Sequence, residues 1–484
     1  MISLGKSPPA IVRSKRVSSG ISELDKILGG GYYEDSLILV CGNPGTGKTI
    51  FSTQFLFEGT KHHDERRMHV SFAEGADNYY RNMAPFGLDM RSLADKKQFK
   101  FLDLLSMRPK GMQESLNLVL QTVAEFKPQR LVIDSISAVL QSLGQSEART
   151  VLHALKESSQ LITLIGKVIK EQGVTTLLIG EIPYGESRIG FGIEEFIADG
   201  VIILRASKIG ATERREIEIA KMRGSRIERA TYEYLIDERY HGVELVALPT
   251  RSPATNVPKE KMRTGIAGLD QMLHGGLLKA SVTLVEGNSG VGKTTLSLQF
   301  LAANAKNKQK GLYISLEEPV SQAVRLLESY GIDYHKIKGN LLIESLVPEA
   351  VTPLHYYKLV REIVERIKPK LIVIDPVTAI QHTLPKEAFI PLMRYFQLLC
   401  KQGGLTALLT STTGTLDFAG ESGISTLTDN IIVMRYHEVK GRIEREIAVV
   451  KTRMSPHDKR IVPFEITGKG IKVQNRGSRM RAEA

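Results

Sequence analysis

Short apolar runs rich in β-branched residues alternate with longer helix-like segments in both halves of the chain. The runs Leu131–Ile133 and Leu371–Ile374 are continuously apolar, which is typical of strands buried on both faces. Because strands that alternate with helical segments form βαβ units, the pattern predicts an α/β fold with mostly parallel central sheets and helices on both faces. Each run ends in an aspartate, Asp134 or Asp375, at the edge where such sheets bind ligands.

The pattern also repeats at an interval of about one domain. Ser19–Asp25 and Thr264–Asp270 share Gly-Ile and Leu-Asp at the same positions. Repeats of this length indicate tandem domains, since the units of solenoids span about 20–50 residues. After Leu248, prolines interleave with polar residues, as is typical of a stiffened linker. We therefore predict two domains, residues 1–250 and 251–484.

A glycine-rich motif, G-x-x-x-x-G-K-[ST], follows an apolar run in each repeat. Its glycines allow backbone N–H groups to surround phosphate oxygens, and the next helix directs its positive end at them. Lys48 and Lys293 would reach the outer phosphates of ATP, and Thr49 and Thr294 would bind Mg²⁺. The predicted nucleotide-binding residues are Gly42, Asn43, Pro44, Gly45, Thr46, Gly47, Lys48 and Thr49, and Gly287, Asn288, Ser289, Gly290, Val291, Gly292, Lys293 and Thr294.

Two kinds of carboxylate complete each predicted site. Asp134 and Asp375 would hold the Mg²⁺ shell together with the motif threonines; capping of a following helix is the alternative role. A second acidic position lies about 25 residues after each glycine-rich motif, at the end of the first predicted strand that follows it. A carboxylate there can accept a proton from an attacking water or hydroxyl. The candidates for this base are Glu74 in the first half and Glu317 and Glu318 in the second. A solvated loop glutamate is the alternative.

Composition limits the function classes. The 484 residues are 42% hydrophobic and 24% charged, as in ordinary globular proteins, and no apolar run has the length of a membrane span. The two cysteines, Cys41 and Cys400, are too far apart in sequence to suggest a disulfide framework or zinc motif. Without an apolar signal-peptide core, a cytoplasmic location is expected. The net charge of +12 is spread along the chain and ATP sites also need cations, so nucleic acid is not an expected partner.

Together these residues resemble the KaiC family of RecA-like P-loop ATPases over nearly the whole chain. The resemblance also rests on the Glu317–Glu318 step and on two basic segments, Lys221–Ser225 and Lys451–Ser455. It implies two tandem RecA-like P-loop NTPase domains that form a double-ring homohexamer with ATP and Mg²⁺ at subunit interfaces. In the family these basic residues project into the neighbouring subunit's ATP site. The resemblance therefore assigns catalysis in trans to Lys221, Arg223, Lys451 and Arg453, where positive charge would stabilise the transferred phosphoryl group.

The family's neighbouring autophosphorylation sites fall on Ser425 and Thr426. The first half has Glu195 and Phe196 at the matching positions. The resemblance therefore implies that the first domain hydrolyses ATP and that only the second domain phosphorylates itself. The second-domain site could also catalyse the reverse reaction, in which the phosphate returns to ADP.

The chain departs from the family pattern at several places. Ala73 replaces the first glutamate of the family's pair, which leaves Glu74 as the first-domain base, and Gly420 stands where clock-forming members carry another threonine. A short basic tail follows Val473 in place of the longer segment that binds KaiA, so regulation by KaiA is not expected. Binding of a KaiB-like protein to the first domain, further stacking of hexamers, and the choice between a circadian clock and an hourglass timer or stress-response role stay open.

Two other function classes share this fold. A RecA-type DNA recombinase or helicase motor would have the same phosphate loops, because fold does not decide function. Against it, the sequence has no tryptophan and no evident aromatic and basic loop on which single strands could stack. A non-catalytic ATP-gated scaffold is the other alternative, and the acidic residues argue against it. The predicted function is an ATP-hydrolysing, self-phosphorylating Ser/Thr kinase.

Overall fold

The structure is a computed structural model that describes residues 15–61, 65–107, 112–135, 174–182, 198–209, 212–227, 231–246, 258–347, 352–384, 386–413 and 424–474. Glu195, Phe196, Gly420, most of the predicted linker and the basic tail after Gln474 lie outside these ranges. The chain divides into two compact units, Met1–Ala247 and Leu248–Ala484. Among the described residues, no helix has the length and apolar character needed to cross a membrane.

The first unit is an α/β domain. Its strands are β1 (Arg16–Val17), β2 (Tyr32–Tyr33), β3 (Leu37–Gly42), β4 (Arg67–Ser71), β5 (Phe99–Asp103), β6 (Arg130–Asp134), β7 (Thr175–Glu181), β8 (Gly200–Ile209), β9 (Thr212–Met222), β10 (Thr231–Asp237) and β11 (Gly242–Leu245). Its described α-helices are α1 (Ser22–Leu28), α2 (Lys48–Glu58), α3 (Ala76–Met83), α4 (Met90–Asp95), α5 (Leu104–Met107) and α6 (Met112–Phe126).

The second unit repeats this arrangement. Its strands are β12 (Lys261–Met262), β13 (Leu277–Leu278), β14 (Val282–Gly287), β15 (Gly311–Ser315), β16 (Leu341–Ser345), β17 (Leu371–Asp375), β18 (Thr406–Thr412), β19 (Asn430–Val439), β20 (Arg442–Thr452), β21 (Ile461–Thr467) and β22 (Gly470–Val473). Its described α-helices are α7 (Ala267–Met272), α8 (Lys293–Lys306), α9 (Val320–Ser329), α10 (Tyr334–Ile337), α11 (Pro353–Ile367), α12 (Val377–Thr383) and α13 (Lys386–Gly403).

The two large sheets have the same topology. In the first, nine described strands lie in the order β11-β10-β9-β8-β3-β7-β6-β4-β5, and in the second the order β22-β21-β20-β19-β14-β18-β17-β15-β16 matches it strand for strand. In the first sheet, the neighbouring strands β8, β3, β7, β6, β4 and β5 pair in parallel. Strands β9, β10 and β11 add an antiparallel extension beside β8. The predicted α/β class with two tandem, mostly parallel domains is confirmed.

Both faces of the central strands are buried, as the apolar runs predict. Along β3, Ile38 and Val40 belong to one hydrophobic cluster while Leu39 and Cys41 belong to another. Since neighbouring side chains in a strand point to opposite faces, the two clusters lie on the two sides of the sheet. All six residues of β14 are buried as well. The strands that lead to the glycine-rich motifs are therefore the rigid centres of their domains.

Several of the repeated sequence motifs have a structural role. Asp25 accepts a hydrogen bond from the Ser19 backbone N–H at 2.7 Å, and Asp270 accepts one from Thr264 at 2.6 Å. The repeat also includes Phe86–Asp89 and Tyr330–Asp333, whose aspartates cap short helices. Asp89 accepts from the Ser92 N–H and Asp333 from the His335 N–H. These parts of the repeat hold turns and helix ends in place.

The parallel strands give each domain two distinct edges. We call the edge at which β3 and β14 end, at Gly42 and Gly287, the loop edge, and the edge at which these strands begin the opposite edge. Ligands of open α/β sheets bind at the carboxyl ends of the strands, which is the loop edge here. Because β9 and β20 run antiparallel to their neighbours, their last residues lie at the opposite edge.

Candidate nucleotide-binding sites

The glycine-rich motifs form the loops that join β3 to α2 and β14 to α8. Gly47 and Gly292, which precede the helices, have φ angles of +84° and +119°. This left-handed region favours glycine, and a Cβ at Gly47 would lie 2.5 Å from Cδ1 of Ile236. The strand, loop and helix required by the predicted phosphate-binding motif are thus present in both domains.

Each motif lysine lies inside its own loop. Lys48 Nζ donates to the carbonyl oxygens of Gly42 and Asn43 at 2.9 and 3.0 Å. Lys293 Nζ donates to Gly287 and Asn288, both at 2.9 Å. Burial lowers the pKa of both lysines, and nearby carboxylates oppose this effect. The ammonium groups are therefore held in the concave loop, where phosphate oxygens would be received.

The strand-end aspartates differ between the domains. In the first, Thr49 Oγ1 donates to Asp134 Oδ2 at 2.9 Å. Burial raises the pKa of Asp134, and the Thr49 hydrogen bond and Lys48 oppose the rise. In the second, Asp375 accepts from the Tyr313 hydroxyl at 2.7 Å and from the Thr410 hydroxyl. Each aspartate is thus held in place by a hydroxyl donor.

A cavity of about 610 Å³ opens at the loop edge of the second domain. This volume falls within the usual range for small-molecule sites, which is about 300–1,000 Å³. The lining joins residues of the predicted phosphate loop to the predicted metal ligand and base. It includes Ser289, Gly290, Gly292, Lys293, Thr294, Tyr313, Ser315, Glu317, Glu318, Arg325, Tyr330, Asp375 and Thr412.

The candidate bases occupy equivalent positions. The Glu74 backbone N–H donates to Ser71 Oγ, and that of Glu318 donates to Ser315 Oγ, both at 3.0 Å. Burial raises the pKa of each glutamate, and the neighbouring strand-end aspartate adds to the rise. Glu317 is exposed, and Ala73 takes its position in the first domain. The geometry therefore favours Glu318 over Glu317 as the counterpart of Glu74.

Sequence reasoning missed several residues at the two sites. Glu181 ends β7 beside Gly42. Burial lowers the pKa of Lys48 and raises that of Asp134; the charge of Glu181 opposes the first shift and adds to the second. Its counterpart in the second domain, at the end of β18, is Thr412. A carboxylate at the end of a third apolar run was a usable signal, whereas nothing local marks Tyr313 as a partner of Asp375.

Thr49 and Asp134 suit a magnesium ion in the first domain. Mg²⁺ prefers oxygen ligands and is bound in proteins by one or two carboxylates together with substrate phosphates and water. The 2.9 Å hydrogen bond shows that both oxygens already face the same point. In the second domain, Thr294 and Asp375 line one cavity with Lys293. The donor set in each domain therefore fits the predicted ion.

The four predicted trans cations lie at the opposite edge. In each pairing, a register shift precedes the lysine, so that Lys221 faces Val201 and Lys451 faces Ile431. Bulges of this kind redirect the side chains that follow them. The partners of the cations lie on the same edge: Lys221 Nζ donates to Ala198 O at 2.7 Å, and Arg223 pairs with Asp199 at 3.1 Å.

The predicted acceptors lie beside the second pair of cations. Ser425 and Thr426 form a 3₁₀ turn before β19, with Ser425 half-buried and Thr426 exposed. Lys451 Nζ donates to Ser425 O at 2.7 Å and to Thr428 O at 2.8 Å, and Arg453 donates to Thr426 O at 3.0 Å. The structure therefore joins the acceptors to the cations in one cluster.

This cluster is separated from the phosphate loop of its own domain by the length of β14. Thr452 pairs with Asn430, which pairs with Thr283 near the start of β14. Gly287 lies four residues further along, a distance of about 13 Å at the usual rise of a strand. The structure does not bring Ser425, Thr426 or the cations to the phosphate loop that precedes α8.

Known proteins are similar to this chain in sequence. A family model described as "ATPase: KaiC" matches residues 17–249 and again residues 262–478. The circadian clock oscillator protein KaiC of Thermostichus vulcanus is 32% identical over 478 residues, 95% of this chain and 89% of the relative. Those of Parasynechococcus marenigrum and Synechococcus elongatus are 30% and 31% identical, covering 97% and 94% of this chain and 93% and 88% of the relatives. With two matched ATPase domains, this chain belongs to the KaiC family.

Proposed function

We propose that this protein is an ATP-hydrolysing Ser/Thr kinase that phosphorylates itself between neighbouring subunits of a double-ring homohexamer. One observation carries the proposal: the acceptors Ser425 and Thr426 and the cations Lys451 and Arg453 are bonded together at the edge opposite their own phosphate loop. Such a cluster can serve catalysis only if it meets the loop edge of another subunit. A closed ring in which each opposite edge faces the next loop edge satisfies this requirement.

The proposed kinase reaction uses the residues that line the second-domain cavity. The phosphate loop and Lys293 would hold the β- and γ-phosphates of ATP. The hydroxyl oxygen of the neighbour's Ser425 or Thr426 would attack the γ-phosphorus, and its proton would pass to Glu318. The bond between the γ-phosphorus and the bridging oxygen breaks, and ADP remains bound. Thr294 and Asp375 would hold Mg²⁺, which supplies charge neutralisation between the phosphates.

Charge from the adjacent subunit would complete the site. Lys451 and Arg453 would lie against the transferred phosphoryl group, whose equatorial oxygens carry the developing charge. The reverse reaction would use the same groups: a terminal oxygen of ADP would attack the phosphorus of phosphoserine or phosphothreonine and re-form ATP. The bond between phosphorus and the side-chain oxygen would break, and Glu318 would return the proton to that oxygen. The same cluster would therefore serve a kinase and, by reversal, an autophosphatase.

The first domain would act as the hydrolytic ring. Glu74 is its counterpart of Glu318 and would take the proton of an attacking water, while Lys221 and Arg223 would supply charge in trans. Glu181 adds a negative charge near Lys48 that has no carboxylate counterpart at Thr412. We infer that this charge keeps hydrolysis slow, which suits a timer or stress-response regulator. A KaiB-like protein would be the partner to test on this domain.

Mass spectrometry tests acceptor identity. Purified protein incubated with Mg-ATP should carry phosphate at Ser425 or Thr426, and the Ser425→Ala/Thr426→Ala variant should carry none there. If ATP is hydrolysed but no phosphate appears on wild type, the kinase assignment fails. Stimulation of ATP turnover by single-stranded DNA, with a steep salt dependence, would then favour a recombinase or helicase motor.

Mixed hexamers test transfer between subunits. Lys293→Ala subunits keep the acceptors and lose the site, whereas Ser425→Ala/Thr426→Ala subunits keep the site and lose the acceptors. Co-expressed in one hexamer, they should yield phosphate on the Lys293→Ala chain, which the peptide sequence identifies. Lys293→Ala hexamers alone are the control and should stay unphosphorylated. Mixed hexamers without phosphate would exclude transfer in trans.

A further inference from the structure

Asp199 immediately precedes β8, and Asp429 immediately precedes β19. These strands pair in parallel with β3 and β14, the strands that lead to the phosphate loops, and join them to the antiparallel extension of each sheet. We propose that these two aspartates are positioning residues that fix Arg223 and Arg453 in register with the phosphate-loop strand of their own subunit. The proposal rests on the proposed function, because it assumes that these arginines act on a neighbouring subunit. The two aspartates would act through the arginines and not by direct contact with the nucleotide or the phosphate acceptor.

In the second domain Asp429 joins two elements through four polar groups. Its backbone N–H donates to Val282 O at 2.8 Å, and its Oδ2 accepts from the Val282 N–H at 3.0 Å. Its carbonyl oxygen accepts from the Arg453 N–H at 2.8 Å, and its Oδ1 lies 3.8 Å from the Arg453 guanidinium. Lys401 Nζ also approaches Oδ1, at 3.5 Å. Asp429 is therefore bonded at once to the first residue of β14 and to the arginine.

The first domain repeats these four contacts, with a shorter ion pair. The Asp199 N–H donates to Leu37 O at 2.8 Å, and its Oδ2 accepts from the Leu37 N–H at 3.1 Å. The Arg223 N–H donates to Asp199 O at 2.9 Å, and its guanidinium lies 3.1 Å from Oδ1. A strand-start aspartate that only capped the backbone would not need the second pair of contacts. The link to the arginine therefore recurs in both domains of the chain.

The aspartates would restrict the positions that the arginine side chains can adopt. The arginine side chains are half-exposed, at 58% for Arg223 and 48% for Arg453, and a free arginine would sample many rotamers. Stabilisation of a phosphoryl group requires the charge at a defined place, because small misplacements are costly. The aspartates tie each arginine to the start of β3 or β14, buried strands whose far ends are the phosphate loops, and in the second domain the Thr426 carbonyl oxygen also accepts from Arg453 at 3.0 Å. In each subunit, the strand that leads to its own phosphate loop would therefore also hold the arginine that acts on the neighbouring subunit.

The substitution Asp429→Asn tests this role in the full hexamer. Asparagine keeps an oxygen to accept the Val282 N–H but turns an amide towards Arg453, so that the fold is preserved and the anchor is lost. The rate constant of autophosphorylation should fall about tenfold or more. The ATP concentration for half-maximal rate should change less than about twofold, because Arg453 serves another subunit's phosphoryl group and not binding of the substrate as a whole. ATP hydrolysis by the first domain should not change.

A double-substitution cycle separates positioning from a purely structural effect. If Asp429 acts through Arg453, adding Asp429→Asn to Arg453→Ala should cause no further loss of phosphorylation. Losses that multiply would overturn the inference. Glu365→Gln is the matched control, since it removes a carboxylate from a surface pair with Arg361 at 2.7 Å on α11. Hexamer size by light scattering should be the same for all variants.

The two hypotheses fail in different ways. An Arg453→Ala variant with a normal rate would overturn the trans role in the proposed function. A slow Arg453→Ala variant beside a normal Asp429→Asn variant would overturn only the present inference. If Asp429→Asn does not assemble, Asp199→Asn offers the second test, read as loss of first-domain ATP hydrolysis with phosphorylation retained. A normal hydrolysis rate in an assembled Asp199→Asn hexamer would likewise overturn the inference.

Discussion

The hydroxyl of Tyr313 donates a hydrogen bond of 2.7 Å to Oδ2 of Asp375, the strand-end aspartate of the second domain. The third residue of the equivalent strand in the first domain is His69, which stacks on Phe101 at 5.2 Å and contacts no carboxylate among the described residues. The two sites have the same topology and the same kind of phosphate loop, yet different side chains hold their strand-end aspartates. This difference would let one domain be tuned for hydrolysis and the other for phosphoryl transfer.

Tyr313→Phe should impair the second domain alone. The variant removes one donor from a buried carboxylate, and loss of such supporting hydrogen bonds typically costs about 10–100-fold in metal affinity or activity. We expect a higher Mg²⁺ concentration for half-maximal autophosphorylation and unchanged first-domain hydrolysis. Titration of phosphorylation against Mg²⁺ measures the effect. Tyr334→Phe, which loses a hydroxyl bonded to the Leu341 carbonyl, is the control, and equal Mg²⁺ curves for both variants would contradict the prediction.

His69 should make the first domain sensitive to acid. Burial lowers the pKa of His69 from 6.5 to about 3, so protonation favours the unfolded chain. The stability that the neutral ring contributes is complete above pH 6.5 and is lost as the pH falls from there towards 3. At pH 5 the loss should be about 2 kcal/mol.

Hydrogen exchange in the full chain can measure this loss. The protection of β4 amides should fall between pH 7 and pH 5 in wild type and much less in His69→Phe, which keeps the stack with Phe101. Because both ring nitrogens lack a hydrogen-bond partner within the described structure, the variant should also be at least as stable at pH 7. An equal acid sensitivity of the two proteins would exclude His69 as the cause.

Glu318→Gln should slow phosphorylation by about 10²- to 10⁴-fold, the usual range for a positioned general base. Glu317→Gln should cost far less, because that side chain is exposed. The base must be deprotonated, and burial beside Asp375 raises the pKa of Glu318. The wild-type rate should therefore begin to fall, as the pH is lowered, at a higher pH than an ordinary carboxyl would give. Single-turnover rates at several pH values test both statements.

Lys293→Ala should abolish autophosphorylation and leave part of the ATP hydrolysis. Loss of a charge that contacts the transferred phosphoryl group costs about 3 kcal/mol, a rate effect of about a hundredfold or more. The remaining hydrolysis would belong to the first domain, whose motif lysine is Lys48. Lys48→Ala is the reciprocal variant and should lose most hydrolysis. Phosphate that appears at Ser425 in Lys293→Ala homohexamers at the wild-type rate would disprove the assignment.

Much of each site could be read from the sequence because the phosphate loop is a local structure. Its glycines, its lysine and its threonine are neighbours in the chain, and their conformation follows from positive φ angles and a helix start within eight residues. Asp134 and Asp375 were predictable for a similar reason, since a buried apolar run that ends in a carboxylate marks the carboxyl end of a strand. Glu181 ends such a run too and was overlooked.

Contacts across the sheet were beyond sequence reasoning. Tyr313 and Asp375 are 62 residues apart, and Asp429 and Val282 are 147 residues apart. Which side chains meet depends on strand order and register, because a shift by one residue turns every side chain to the other face. The basic segments illustrate this limit: their composition predicts a cationic site, but nothing in them states at which edge of the sheet it lies.

The two α/β domains, each with a phosphate loop and a strand-end aspartate, can be read from the chain because hydrophobic period and glycine conformation act over short distances. The position of Lys451 and Arg453 beside Ser425 and Thr426, at the edge away from their own loop, is visible only in the folded protein. The antiparallel return of β20 beside β19 carries them there. That placement follows from pairing between distant strands, whose energy is distributed over the whole sheet and leaves no signature in any single segment.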